Sequence, residues 1–240
     1  MRRAALLALA SLVPSLPAAA ATIELAPFSR APTGAPPAPW KVATSPKIAR
    51  HTQYDVVALD GAHVLRARAA ASYANLVHEL PPGTVATRLA WRWRVDRPVE
   101  GADLTRKTGD DVPARVCALF DLPLERLSAG DRLRIGLGRA LFDPKLPAAA
   151  ICYVWDTKLA AGTWLANAYT ERVRMLVLRQ GAPGRWFDES RDLRADFAAA
   201  FAHESKGGLP ALAAVALSAD ADNTGGHALA YFGDVVLEIE

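Results

Sequence analysis

From Arg88 to Val95 the chain alternates with period two: Leu89, Trp91, Trp93 and Val95 fall on one side, Ala90, Arg92 and Arg94 on the other. Successive side chains of an extended strand point to opposite faces, so this spacing predicts a strand with one face in the core. Core packing is the role it assigns to Trp91 and Trp93, which share their face with Leu89 and Val95. Arg92 and Arg94 are left to line a polar groove or to be solvated.

Strand signals recur along the rest of the chain. Tyr54–Leu59 leads into Asp60-Gly61 and then Ala62–Ala67, and Asp-Gly between apolar runs is a hairpin cue. Ser72–Leu80 stops at Pro81-Pro82-Gly83. Ala114–Phe120, Ala148–Trp155, Arg172–Leu178, Ala211–Ser218 and His227–Ile239 read as further strands, the last long enough to lie centrally. Residues 26–47 are rich in proline and small residues, which favours an extended wrapping segment, with a short strand at Thr22–Leu25 and Trp40 as its anchor. Two short helices are predicted: a turn at Leu124–Leu127, and Arg191–Ala202 with Ser190 as N-cap. Many strands without βαβ alternation predict a mostly β chain: a single-domain antiparallel β-sandwich, jelly-roll-like, spanning 22–240.

The first 21 residues read as a secretory signal peptide. Arg2 and Arg3 precede an apolar run, Ala4–Val13, and Ala18–Ala21 offers the small residues a signal peptidase reads. The run is shorter than the roughly 20 residues a membrane-spanning helix needs. Cleavage near Ala20 or Ala21 and a periplasmic or secreted location are the expectation.

Cleavage also changes the charge. The chain carries 28 basic and 25 acidic side chains, net +3; without Arg2 and Arg3 the balance is 26 to 25, or +1. No basic cluster remains to serve as a nucleic-acid footprint. Both cysteines, Cys117 and Cys152, fall in strand-like segments. An oxidising compartment permits one disulfide between them, and two buried free thiols are the other reading.

The strings Trp91-Arg92-Trp93-Arg94-Val95, Lys107-Thr108-Gly109-Asp110-Asp111 and Ala114-Arg115-Val116 resemble an uncharacterised bacterial family known as domain of unknown function 3047. The likeness continues through Tyr153-Val154-Trp155, Gly184-Arg185-Trp186, Arg191–Phe197 and Asp220–Gly225, in order over most of the chain. Ala202 and Ala221 depart from it, where the family favours Gly and Thr. The resemblance implies a sandwich of the kind found in carbohydrate-binding modules and implies no activity.

Three constellations could carry chemistry. Asp220-Ala221-Asp222-Asn223-Thr224-Gly225 places oxygen donors at alternate positions before a glycine, like the first half of a calcium loop. Asp220, Asp222 and Thr224 are the candidate ligands, and calcium the candidate cofactor. Tyr231 stands where such a loop needs its bidentate carboxylate, and the other reading is a turn bonded to its own backbone. Asp110 and Asp111, adjacent and so directed to opposite sides, could divide between an ion pair with Arg115 and an acid, base or ligand role. The other reading is a loop salt bridge. Among the aromatics, Trp155 beside Asp156 and Trp186 beside Arg185 are candidates for a ligand surface, with Arg92 and Arg94. Signatures for nucleophile elbows, zinc proteases, phosphate loops and dinucleotide loops are absent, and the five histidines are scattered.

These features support three readings: a surface that binds a glycan or small polar ligand; a polysaccharide hydrolase or lyase using Asp110 or Asp111 with Arg115; and a non-catalytic structural envelope protein. The first is favoured. Oligomeric state leaves no mark on the sequence.

Overall fold

The computed structural model describes residues 21–44, 48–141, 147–181 and 183–240. The expected signal segment, Ala21 excepted, lies outside them. The strands are β1 (Ala21–Glu24), β2 (Lys41–Ala43), β3 (Gln53–Leu59), β4 (Ala62–Ala70), β5 (Asn75–Glu79), β6 (Ala86–Arg97) and β7 (Ala114–Phe120). Helix α1 (Ala129–Leu141) follows, then β8 (Ala149–Asp156), β9 (Trp164–Asn167), β10 (Thr170–Gln180) and β11 (Trp186–Asp192). Helix α2 (Leu193–Ala200), β12 (Leu212–Ser218) and β13 (His227–Ile239) complete the chain.

Two sheets face each other. One has the order β11-β6-β13-β4-β3, with β1 pairing the far end of β13; the other is β2-β5-β12-β7-β8-β10-β9. The long closing strand is central, as its length predicts, because only a 13-residue element can pair β6 along one edge and β4 then β1 along the other. Between β3 and β4, Asp60 and Gly61 both have positive φ (51° and 80°). That is the type I′ geometry whose twist matches a two-residue hairpin. The pairing is antiparallel throughout except β8 with β10, which is parallel. Strand β9 lies outside this pair, antiparallel to β10, so the sandwich is mixed rather than wholly antiparallel.

The tryptophan strand is β6, with Leu89, Trp91, Trp93 and Val95 all 3% exposed or less. Its indoles meet aromatic side chains from the opposite sheet: Trp91 lies 5.1 Å from Tyr153 and Trp93 5.7 Å from Trp155, ring centre to ring centre. Offset and edge-on ring pairs of this kind add about 0.5–1.5 kcal/mol each beyond the area they bury. The proline-rich segment closes one edge of the core: Phe28 packs on Trp40, whose indole N–H donates to the Leu25 carbonyl at 2.9 Å.

The helices differ from expectation. Residues 186–192 pair with Arg94 through Arg88, so Ser190 is held in a strand and the N-cap falls to Asp192, whose carboxylate accepts from the Ala195 N–H. Helix α1 is an addition; only a turn is predicted before it, because Gly130, Gly136 and Gly138 weaken its helical signal. No helix among the described residues is long and apolar enough to cross a membrane.

Candidate functional site

The antiparallel register of β7 and β12 sets Ser218, at the end of one, opposite Arg115, near the start of the other. The loops beyond these ends therefore meet. One carries Asp110 and Asp111, the other Asp220 to Gly225, and the Asp220 N–H donates to the Val112 carbonyl at 2.8 Å. The two aspartate-rich segments thus form one cluster over the outer face of the seven-stranded sheet.

Arg115 lies at its centre, its side chain 8% exposed. The guanidinium donates from Nε to Ser218 Oγ and from Nη2 to Asp220 Oδ2, each at 3.0 Å, and lies over the Tyr73 ring at 5.3 Å. The sequence places its partner at Asp110 or Asp111. The partner is instead Asp220, because cross-strand register outweighs proximity along the chain. A single buried cation thus stands among four aspartates.

Asp111 is fully buried and points into the 220s loop. Its Oδ1 accepts from the Asn223 backbone N–H and side-chain amide, and its Oδ2 from the Thr224 N–H and hydroxyl, at 2.6–3.2 Å. Both oxygens are committed to the loop, which removes Asp111 from the catalytic candidates: it is a strut. The Thr224 hydroxyl donates to Asp111 and accepts from the Gly226 N–H, which holds it in the loop. Asp111, Asp220 and Asp222 do bring carboxylate oxygens within 4.8 Å of one another. The first is saturated by loop donors, however, and the second is bonded to Arg115. Replacing Asp111 by Asn turns an amide toward the loop's own donors. Urea unfolding should show a loss of about 1.5–3 kcal/mol, the value of a hydrogen bond to a charged group.

Asp110 diverges from its neighbour and faces a groove of about 450 Å³. Its side chain is 5% exposed; Oδ2 accepts from Asn167 Nδ2 at 2.6 Å, while Oδ1 has no hydrogen-bond partner among the described residues. A buried acceptor left unmatched costs about 1–3 kcal/mol. Burial raises the Asp110 carboxyl above its ordinary range, against the pull of Arg115 and the Asn167 bond. Burial also pushes Asp220 up, opposed by Arg115. A carboxyl whose folded pKa exceeds its unfolded value holds its proton longer in the native state. Its contribution is complete below about pH 4 and lost as pH rises through the raised value. The thermal midpoint of the wild type relative to Asp110→Asn, which mimics the protonated form, should therefore fall as pH rises from about 4. A constant difference would contradict this.

Asn167 and Tyr169 complete the rim, and nothing in the sequence singles them out. The register between β9 and β10 shifts between Thr170 and Arg174, and the turn reaches over the sheet face. Tyr169 donates its hydroxyl to Asn223 Oδ1 at 2.8 Å, and Lys107 Nζ lies 5.3 Å from the centre of its ring.

The remaining candidates lie elsewhere. Trp155 is 1% exposed between the sheets, against Trp93 and Phe187, so no ligand can stack on it. Its neighbour Asp156 suggested a surface, yet β8 is buried on both faces. Trp186, Arg92 and Arg94 are on the outer face of the other sheet. Arg92 covers one face of the Trp186 ring at 4.3 Å, the indole N–H donates to Asp60, and Arg94 is paired with Asp60 and Asp96. They share no surface with the aspartates.

The family model described as "Protein of unknown function (DUF3047)" matches residues 38–236. No curated protein matches the chain. Among solved structures, the K2 cleaved adhesin domain of Lys-gingipain is similar, with a TM-score of 0.41 and 12% identity over 90% of this chain and 99% of that chain.

Proposed function

The chain belongs to the DUF3047 family, and from the site alone we propose that it is an exported binding protein that holds a glycan or similarly small polar ligand in the groove beside Asp110. One observation carries the reading: a 5% exposed carboxylate, held by Asn167 and with one oxygen unmatched among the described residues, in the wall of a groove large enough for a small ligand. Sites of this kind place a few oriented polar groups on a mainly apolar wall. That oxygen is covered in the free protein, so a ligand hydroxyl supplies the partner it lacks by displacing part of its cover. Catalysis by the pair Asp110 and Asp111 has no comparable support, because glycoside hydrolysis uses two working carboxyls and Asp111 is spent on the loop.

Export is supported by the basic-apolar-small order of residues 2–21 and by the Cys117–Cys152 disulfide, a bond that persists in oxidising compartments. Mass spectrometry of the protein from its native host should find a mature chain beginning at Ala21 or Thr22. An intact Met1 would remove the export reading.

Titration calorimetry against a panel of soluble envelope glycans tests the binding reading. At least one should bind, and Asp110→Asn should weaken it about tenfold or more, the loss of one charge-assisted hydrogen bond. Uniform absence of binding across the panel would remove the reading.

A further inference from the structure

The outer face of the seven-stranded sheet is graded, and the register shows how. Ser218 and Arg115 form a cross-strand pair at the aspartate end, with Asn75 on β5 just past the last residue paired to β12. The next row runs Val77, Ala216, Cys117 and Cys152, with the two cysteines directly paired and bonded. Beyond it lie Leu119, Ala150 and Val173. Polarity therefore falls off within two residues of Arg115, and charge returns only at the margins of this floor, at Lys41 and Glu79 on the β2–β5 side and at Glu171 on β10. Loops cover the other part of this face, where Leu104 and Leu159 pack on Val154, Met175 and Val177. Val77, Leu119 and Val173 remain only half-buried and line the groove. At Pro147, Ala150 and Val173 the groove joins a second hollow of about 800 Å³ that reaches Ile135 of α1 and is otherwise bounded by charged side chains, Asp131, Arg134, Glu171 and Arg174 among them, so the apolar floor ends near Val173.

A wholly polar ligand would satisfy Asp110 and leave this floor wet. None of the six tryptophans lines either hollow, and the aromatic rings that do, Tyr73 under Arg115 and Tyr169 on the rim, stand at the aspartate end and not over the apolar floor. We propose that the ligand is an amphiphile, with a hydroxyl- or amine-bearing head on Asp110 and an alkyl or acyl chain laid over the disulfide toward Leu119 and Val173. The head rests on the binding reading above; the chain is carried by the floor alone.

Alkyl β-glucosides of increasing length, from methyl to octyl and kept below their micelle concentrations, separate the two. Calorimetry on the full mature protein should show the dissociation constant falling about two- to fourfold for each added CH2, the range set by partial to full burial of a methylene. Leu119→Ser should flatten that slope and leave the methyl glucoside unchanged. Val173→Thr, nearly the same size, serves if the first variant folds poorly. Equal affinity for methyl and octyl glucosides would overturn the amphiphile and keep the polar reading. A chain-length slope with n-alkylamines but no binding of any glucoside would keep the amphiphile and remove the sugar head. No binding by either series would overturn both.

Discussion

Replacing Arg115 by Met should lower the unfolding free energy by about 3–5 kcal/mol, the cost of removing one partner of a buried ion pair. The size follows from what is left behind. Arg115 is the buried counter-ion of Asp220, 3.0 Å away, with both side chains 8% exposed or less, and its charge also offsets the burial of Asp110. Methionine fills much of the volume and supplies no donor to Ser218 or Asp220. The uncompensated carboxyls must then take up protons or drag water into the sheet face. Lysine should recover part of the loss, because it restores the charge without the fork that reaches Ser218 and Asp220 together. Adding Asp220→Asn to Arg115→Met should cost less than the two single losses combined, since the second change removes the group the first strands. Denaturant unfolding of the wild type and the four variants, the single Asp220→Asn included, measures these effects. A loss below about 1 kcal/mol for Arg115→Met, with additive behaviour in the double variant, would mean that the cluster is wet and that the pair is no more than an exposed bridge.

That pair also marks where sequence reasoning stops. Alternation was enough to place Trp91 and Trp93 inside, since period two at a strand is a local property. The Asp60-Gly61 hairpin is legible for the same reason: both residues accept positive φ. What requires the partner strand is not legible. Arg115 has Asp111 four residues before it, yet pairs across 105 residues with Asp220, because the β7–β12 register is set by apolar side chains that carry no label for one another. Asp156 beside it makes Trp155 look like a surface residue in the sequence. Burial on both faces of β8 erases the alternation that would have corrected this. The site's neutral members, Asn167 and Tyr169, arrive by a register shift in a hairpin that no local composition announces. Adjacent aspartates do point apart, but at a tight turn (Asp110 φ −73°, ψ 56°, with the Asp111 N–H donating to the Gly109 carbonyl) and not on an extended chain, and only the fold decides that Asp111 faces the loop and Asp110 the groove.

The disulfide should yield the other large effect. Changing Cys117 and Cys152 together to Ala is expected to reduce stability by about 2–4 kcal/mol, with the thermal midpoint falling accordingly. In the native sheet the bond adds little alignment, since β7 and β8 are already registered residue by residue on either side of it. Its leverage is on the unfolded chain, where it ties residues 35 apart and with them the connection containing α1. That helix carries three glycines and exposed Leu133 and Leu137, and of its described side chains only Ile135 is buried, so neither its own propensity nor extensive packing fixes it. Because the two cysteines are 5% and 3% exposed, a thiol reductant should act slowly on the folded protein and quickly once denaturant opens the sheet. Two measurements then separate the entropic role from a packing one. If the bond acts through the unfolded state, reduction of the wild type and the double Ala variant should lower stability by similar amounts. If the sulfurs matter chiefly as apolar filler beneath the groove, the reduced protein, which keeps both sulfurs, should stay close to the oxidised one and only the Ala variant should fall. That second pattern would place the disulfide's value in the shape of the groove floor rather than in the folding of the chain.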